Sequence, residues 1–173
     1  TKNISCGEGG ALISNNKELV EFVKTHRLHG MSKTAIDRYT SRNYSHWDVR
    51  TPGQKFNLPD ILAALLPEQI EKCLSERNLR NNIYHFYLKH LKESGVISYI
   101  RTQYIPEGVE HSHHLFAIGV NKHLRDDLLK FMGQNDIGVA VNFRDLPSLT
   151  YYSNYNRPFE AEEWGSSTIS LPF

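Results

Sequence analysis

The sequence has only two cysteines among its 173 residues, Cys6 and Cys73, and no CxxC spacing. That excludes a disulfide framework and fits a reducing cytosol better than an oxidising compartment, so a cytoplasmic location is expected. It has no excess of either charge: Lys and Arg number 20, Asp and Glu 19, for a formal net charge of +1. Nucleic-acid domains usually carry a basic stripe, and none is present, so no nucleic-acid partner is expected. No apolar run approaches the ~20 residues that a membrane-spanning helix needs, which argues against a membrane partner. Internal repeats and low-complexity tracts are also missing. What remains is 39% hydrophobic and 23% charged, the composition of a globular protein of one domain or somewhat more. A mean hydropathy of -0.49 leaves much of the chain wet.

Several segments carry legible local signals. "GALIS", Gly10 to Ser14, reads as a short strand, and Asn15-Asn16 offers a cap for the amphipathic "KELVEFVKTHRLHG", closed by Gly30. Residues 31–53 are polar and aromatic without periodicity and read as a long irregular loop, the kind that is usually functional. From Leu58 a helical pattern returns and runs to Gly95, with Asn57 as a possible cap. Pro67 interrupts it, so the helix either kinks or restarts there. "VISYIRTQYI", "HHLFAIGV" and "IGVAVNF" read as strands and "LRDDLLKFMGQND" as a helix. "LPSLTYYSNYNRPFE" reads as a turn-rich aromatic stretch, and the chain ends on the apolar "TISLPF". The pattern is α+β.

Few residues suggest chemistry by themselves. His111-Ser112-His113-His114 invites a zinc reading. On a strand, however, His111 and His113 face one side and His114 the other, and nothing nearby completes a four-ligand set, so no metal is expected. No GxSxG elbow supports a serine hydrolase. Asp126 and Asp127 fall at a helix start, where the macrodipole favours them. Phe143, Tyr151, Tyr152 and Tyr155 cluster with Arg144 and Arg157, either as a domain edge or as a place where a flat charged ligand stacks. Lys2 alone is a surface charge. Beside Gly7, Gly9 and Gly10 it is also a candidate for a Schiff base with an aldehyde cofactor, because glycines let a ligand approach the backbone.

Taken together, "TKNISCGEGG" resembles the segment around the cofactor lysine of the DegT/DnrJ/EryC1/StrS family, sugar-nucleotide aminotransferases that use pyridoxal 5'-phosphate. The matching residues are Thr1, Lys2, Asn3, Ile4, Ser5, Glu8, Gly9 and Gly10. His29-Gly30 matches the family's next landmark. "PGQKFNLPDILAALLPEQIEK" follows the family's "PGYKYNLPD" block through Pro52, Gly53, Lys55, Asn57, Leu58, Pro59, Asp60, Ala63, Ala64 and Gln69. "HHLF", "NFRDLPSLTYY" and "ISLPF" resemble later landmarks in the family's order. The nearest branch in motif is the 4-amino-4-deoxy-arabinose aminotransferase. Asn142 and Pro147 stand where the family has histidines, and His113 where it has tryptophan.

The resemblance implies the end of the large domain plus the small C-terminal domain of a fold-type I aminotransferase. Residues 1–57 would be the large-domain remnant and 58–173 the small α+β domain. It implies that Lys2 is the Schiff-base lysine and the proton carrier, and that Asn57 reaches across a homodimer to the cofactor phosphate of the other subunit. Asn142 and Arg144 are the expected substrate contacts. The reaction would move an amino group from glutamate to a keto sugar nucleotide in surface polysaccharide or lipopolysaccharide biosynthesis. The acid that pairs the pyridinium nitrogen lies upstream of the lysine in the family, so the chain by itself is expected to be catalytically incomplete. The competing reading is a non-catalytic dimerisation or binding module on the same α+β core.

Overall fold

A computed structural model describes residues 2–40, 43 and 46–173. Thr1 of the lysine motif, and residues 41, 42, 44 and 45 of the expected loop, lie outside the described residues. The chain divides into two compact units, Thr1–Glu71 and Lys72–Phe173.

In the first unit, α1 spans Lys17–His26, and Asn16 caps it by accepting a hydrogen bond from the Leu19 backbone N–H at Oδ1 (3.2 Å). The helix ends at His26, before the expected stop at Gly30. Gly30 still adopts a left-handed conformation, φ 73°, in the turn that follows. The "GALIS" strand does not form among the described residues: a strand needs a ladder partner, and Ile13 stands 96% exposed without one.

The loop expected over 31–53 is not wholly irregular. It contains α2, Ala35–Thr40. Thr34 and Asp37 form a reciprocal capping box there: the Thr34 N–H donates to Asp37 Oδ2 (2.9 Å) and the Asp37 N–H donates to Thr34 Oγ1 (3.2 Å). The hydrogen bond from the Thr34 hydroxyl, then that from its N–H, holds the Asp37 carboxyl below its ordinary pKa. The loop's base is pinched shut against the end of α1. His29 donates its N–H to Gln54 O (3.0 Å), Gln54 donates to His26 O (2.7 Å), and Phe56 donates to Arg27 O (2.8 Å).

α3 covers Asp60–Ala63 and α4 Leu66–Glu93, so the helix restarts at Pro67 rather than kinking. Pro67 is its second residue, where a missing N–H costs nothing. The boundary between the two units falls inside α4. Pro59, not Asn57, occupies the cap position of α3, and it makes no side-chain capping bond.

The second unit holds a three-stranded antiparallel sheet in the order β1 (Arg101–Thr102), β2 (Phe116–Gly119), β3 (Thr168–Leu171). Phe116 pairs with Leu171, Ile118 with Ile169, and Thr102 with Ile118. Most of "VISYIRTQYI" is not strand. Gly95 enters a left-handed turn, φ 75°, and Val96–Tyr99 winds into a 3-10 helix, leaving only two residues to pair. "IGVAVNF" contributes one bridge, Ala140 to Ser170, in place of a strand. α5 is Arg125–Gln134, with Asp126 and Asp127 in its first turn as expected.

α6, Phe159–Ser167, is a helix that the sequence reading missed. The core is Phe116, Ile118 and Ile169 with Tyr84 of α4, flanked by Tyr87, Leu88 and Leu91 of the same helix and by Leu128 and Leu129 of α5. The Phe116 and Tyr87 rings stack with centroids 4.6 Å apart. Among the described residues, no helix is long and apolar enough to cross a membrane.

Candidate active site

The glycine-rich opening and the "NLPD" block meet within the first unit. Residues 2–16 form no helix or strand, so something else must hold them. Two contacts do. A Cβ on Gly9 would sit 3.0 Å from Cys6 Sγ and 3.2 Å from Leu58 Cδ1, so a side chain there would press on both neighbours and glycine lets the turn lie close. The side-chain amide of Gln69, in the first turns of α4, donates to Ser5 O (2.7 Å) and accepts from the Ser5 N–H (2.9 Å). Cys6 is buried as a free thiol.

This packing creates a groove of about 630 Å³ with Lys2 on its wall. Its walls are the backbone of Ser5 to Gly10 and the apolar side chains of Ile4, Ile13, Leu58, Leu66 and Ile70. The volume falls within the range of small-molecule sites, ~300–1,000 Å³. Lys2 is exposed.

Asn57 lies next to Leu58 but does not line this groove. Its Oδ1 is buried without a hydrogen-bond partner among the described residues. A buried amide normally finds a partner, so this one points to a group from outside the unit. Rotating the amide end for end presents an N–H donor at the same point. Around it, Phe56 is 73% and Ile61 80% exposed.

The other expected contacts are in the second unit. Asn142 is half-buried between the Ala140 bridge and a 3-10 turn at Leu146–Ser148. Arg144 is exposed and donates from Nη2 to Ser148 O (3.2 Å), which leaves most of its five N–H groups available. Arg157 donates to Pro147 O (3.2 Å) and so braces the same turn. Tyr151, Tyr152 and Tyr155 form a ring cluster at 5.0 and 5.9 Å spacings.

The histidine run lies in irregular backbone, not strand. His113 has φ 46° and donates its N–H to His111 Nδ1 (3.0 Å), with the two rings 4.8 Å apart. The His113 ring is buried against Tyr84. Burial first, then the charges of His111, His85 and Arg77, pull its pKa below the ordinary histidine value. Among the described residues, no group of three or more His, Cys, Asp or Glu is arranged to hold a metal.

The profile of the DegT/DnrJ/EryC1/StrS aminotransferase family matches residues 1–173. The chain belongs to that family. Its members depend on pyridoxal 5'-phosphate. The chain is 29% identical to the spore coat polysaccharide biosynthesis protein SpsC of Bacillus subtilis, over 99% of this chain and 46% of that protein. It spans about half the length of the curated relatives it matches. Among solved structures it is similar to the sugar aminotransferase CalS13 of Micromonospora echinospora, with TM-score 0.80, 18% identity, and coverage of 98% of this chain and 44% of that one. It is also similar to the PLP form of the sugar aminotransferase Spr1654 of Streptococcus pneumoniae, with TM-score 0.66, 22% identity, and coverage of 94% and 40%. The α+β expectation and the aminotransferase fold therefore hold.

The residues present fit the family's cofactor. A primary amine stands on a groove whose Gly9 leaves little room for a Cβ, and the buried Oδ1 of Asn57, next to the groove residue Leu58 in sequence, has no partner among the described residues. Spacing rules alone missed Gln69, whose partner is 64 residues away. Its one signal was its place in the "NLPD" block.

Proposed function

We propose that this chain is the lysine-bearing part of a pyridoxal-phosphate sugar-nucleotide aminotransferase. The enzyme takes an amino group from glutamate and delivers it to a keto sugar nucleotide for a surface polysaccharide or lipopolysaccharide. One observation carries the reading: the family's lysine motif lies on a ligand-sized groove built by packing that motif onto the family's asparagine block.

When bound, pyridoxal phosphate supplies an electron sink for the carbon that loses a proton. Lys2 would hold the cofactor's aldehyde and would carry a proton at Nζ between neighbouring atoms of the bound substrate. Asn57 donates to a phosphate oxygen, a charge-assisted bond stronger than one between neutral groups. Arg144 holds a carboxylate or phosphate of the substrate through its planar fork, with Asn142 beside it.

Asn57 serves a second subunit in this reading, which makes the protein a cytoplasmic homodimer with shared sites. Its absence from the Lys2 groove and the exposed Phe56 and Ile61 beside it support that arrangement, because apolar side chains clustered at a surface favour a protein cover. We assign residues 1–57 to the cofactor-binding large domain and 58–173 to the small domain.

The test is to incubate the full-length gene product with pyridoxal phosphate, reduce with borohydride, and map the modified peptide. The adduct is expected on Lys2 and absent from Lys2→Ala. The intact protein should release 2-oxoglutarate from glutamate beyond one equivalent per bound cofactor only when a keto sugar nucleotide is supplied. An adduct elsewhere, or none, refutes the assignment of Lys2 and favours the non-catalytic module.

A further inference from the structure

We propose that Gln69 is a positioning residue for Lys2. Its side-chain amide fixes the backbone at Ser5 and so sets where the lysine amine stands in the groove. The inference rests on the role given to Lys2 above. Three hydrogen bonds define it. Gln69 Nε2 donates to Ser5 O at 2.7 Å and to Leu65 O at 2.6 Å, while Ser5 N–H donates to Gln69 Oε1 at 2.9 Å.

The pair with Ser5 is reciprocal, as between residues of neighbouring strands, so one side chain supplies what a β partner would otherwise give. The bond to Leu65 O fixes which end of the amide faces which way, since a flipped amide would set its oxygen against two carbonyls. Residues 2–16 have no ladder or helix of their own. Just beyond Ser5, Cys6 is buried and Gly9 packs on Leu58.

Lys2 is three residues from Ser5, a reach of at most ~10 Å of extended chain. A shift of the backbone at Ser5 therefore reaches the lysine directly, over only three residues. Reactions that depend on orientation lose about a hundred-fold for a misplacement of ~1 Å. A residue that only packs would change stability and leave the chemistry of Lys2 untouched.

The experiment uses Gln69→Leu and Gln69→Glu in the full-length gene product, with three readouts. These are amide hydrogen exchange at Ser5, the rate at which cyanoborohydride, which survives mild acid, traps pyridoxal phosphate on Lys2, and the melting temperature. Gln69→Leu should lose protection at Ser5 and be trapped at Lys2 at least about ten-fold more slowly. Gln69→Glu offers no donor while ionised, so it should be as slow at neutral pH. Its rate relative to the unsubstituted protein at the same pH should recover as the carboxyl protonates and regains one O–H donor, near or above the ordinary ~4.3.

If Gln69→Leu does not fold, the pH course of that ratio for Gln69→Glu decides. Loss of Ser5 protection with an unchanged trapping rate overturns the inference, and so does a Gln69→Leu protein that keeps protection. Absence of trapping in the unsubstituted protein, with Ser5 protected, overturns the Lys2 assignment itself and this inference with it.

Discussion

Replacing Gly30 with alanine should unlock the base of the loop that leads to Asn57. Two physical costs apply. Gly30 has φ 73°, where an L side chain costs ~1–2 kcal/mol. A Cβ there would also lie 1.7 Å from the Thr51 carbonyl oxygen, whereas real Cβ atoms essentially never come under 3.0 Å, so the Thr51 backbone must retreat by at least ~1.3 Å. Overpacking of that kind costs ~1–3 kcal/mol, and here the obstacle is backbone, which cannot swing aside. The sum is about 2–5 kcal/mol.

Gly53 is the other half of the pinch: its Cβ would lie 2.1 Å from Gly30 N and 2.5 Å from His29 C. Gly53→Ala should therefore cost about the overpacking part alone, ~1–3 kcal/mol, since its φ is not in the left-handed region, and the two together less than the sum, because either one opens the same contact. Gly10→Ala is the control, since nothing lies within 4 Å of its Cβ and its φ carries no penalty. Urea denaturation gives the free energies. Amide exchange at Gln54 and Phe56, which donate to His26 O and Arg27 O, shows whether the base of the loop opens. If Gly30→Ala and Gly10→Ala agree within ~0.5 kcal/mol, with Gln54 still protected, the pinch does not hold the loop.

Asn57→Ala should weaken pyridoxal phosphate binding to the full-length protein by about ten- to a hundred-fold, the worth of one hydrogen bond to a charged group, as read by a cofactor absorbance titration. It should leave the melting temperature of the cofactor-free protein unchanged or raised, because the amide oxygen it removes has no partner. Phe116→Ala should cost ~3–5 kcal/mol in chemical denaturation, since the ring is buried and stacked on Tyr87.

The second unit should also lose stability in acid through His113. Its folded pKa lies below the unfolded value, so the unfolded chain takes up the proton first. The contribution is complete above ~6.5 and falls as pH drops from there toward the folded pKa. His85 and Arg77 of α4, with His111 of the loop, face the ring and oppose its charging, and Tyr84 packs on it. Melting followed between pH 7.5 and 5 should show a slope that His113→Gln removes. An equal slope in the two proteins refutes the assignment to His113.

Helices were legible where the signal is local. The Asn16 cap, the apolar spacing of α1 and the acidic first turn of α5 each lie within a few residues of what they control. Strands were legible only in part: β2, Phe116–Gly119, forms within "HHLFAIGV", but a strand exists only where a partner does. "GALIS" has strand composition and no ladder, while "VISYIRTQYI" keeps two paired residues after its glycine turn. α6 was hidden by Pro158, by the aromatic residues before it and by Gly165, Ser166 and Ser167, all weak helix formers. Packing overrides that weakness: a Cβ on Gly165 would lie 2.4 Å from the Asp145 backbone N, so the poor helix former is what admits the neighbouring turn.

At the site, the same division holds. Lys2 was legible as a motif, yet no spacing rule joins residues 5 and 69, and Asn57 looked like a helix cap until Pro59 took that position.

The last strand shows why composition is a weak guide to the core. Ser167 at the end of α6 and Thr168, Ile169 and Ser170 of β3 are all buried, although only Ile169 is apolar. β3 is flanked on both sides: β2 pairs along its length, and Ala140 exchanges two backbone bonds with Ser170, at 2.7 and 3.2 Å. Small side chains let both neighbours approach, and Arg101 donates to the Ser167 hydroxyl (2.8 Å) to satisfy one of the buried oxygens. A strand paired on both edges must satisfy its backbone before its side chains, so the segment tolerates polar residues that a hydropathy reading would place at the surface.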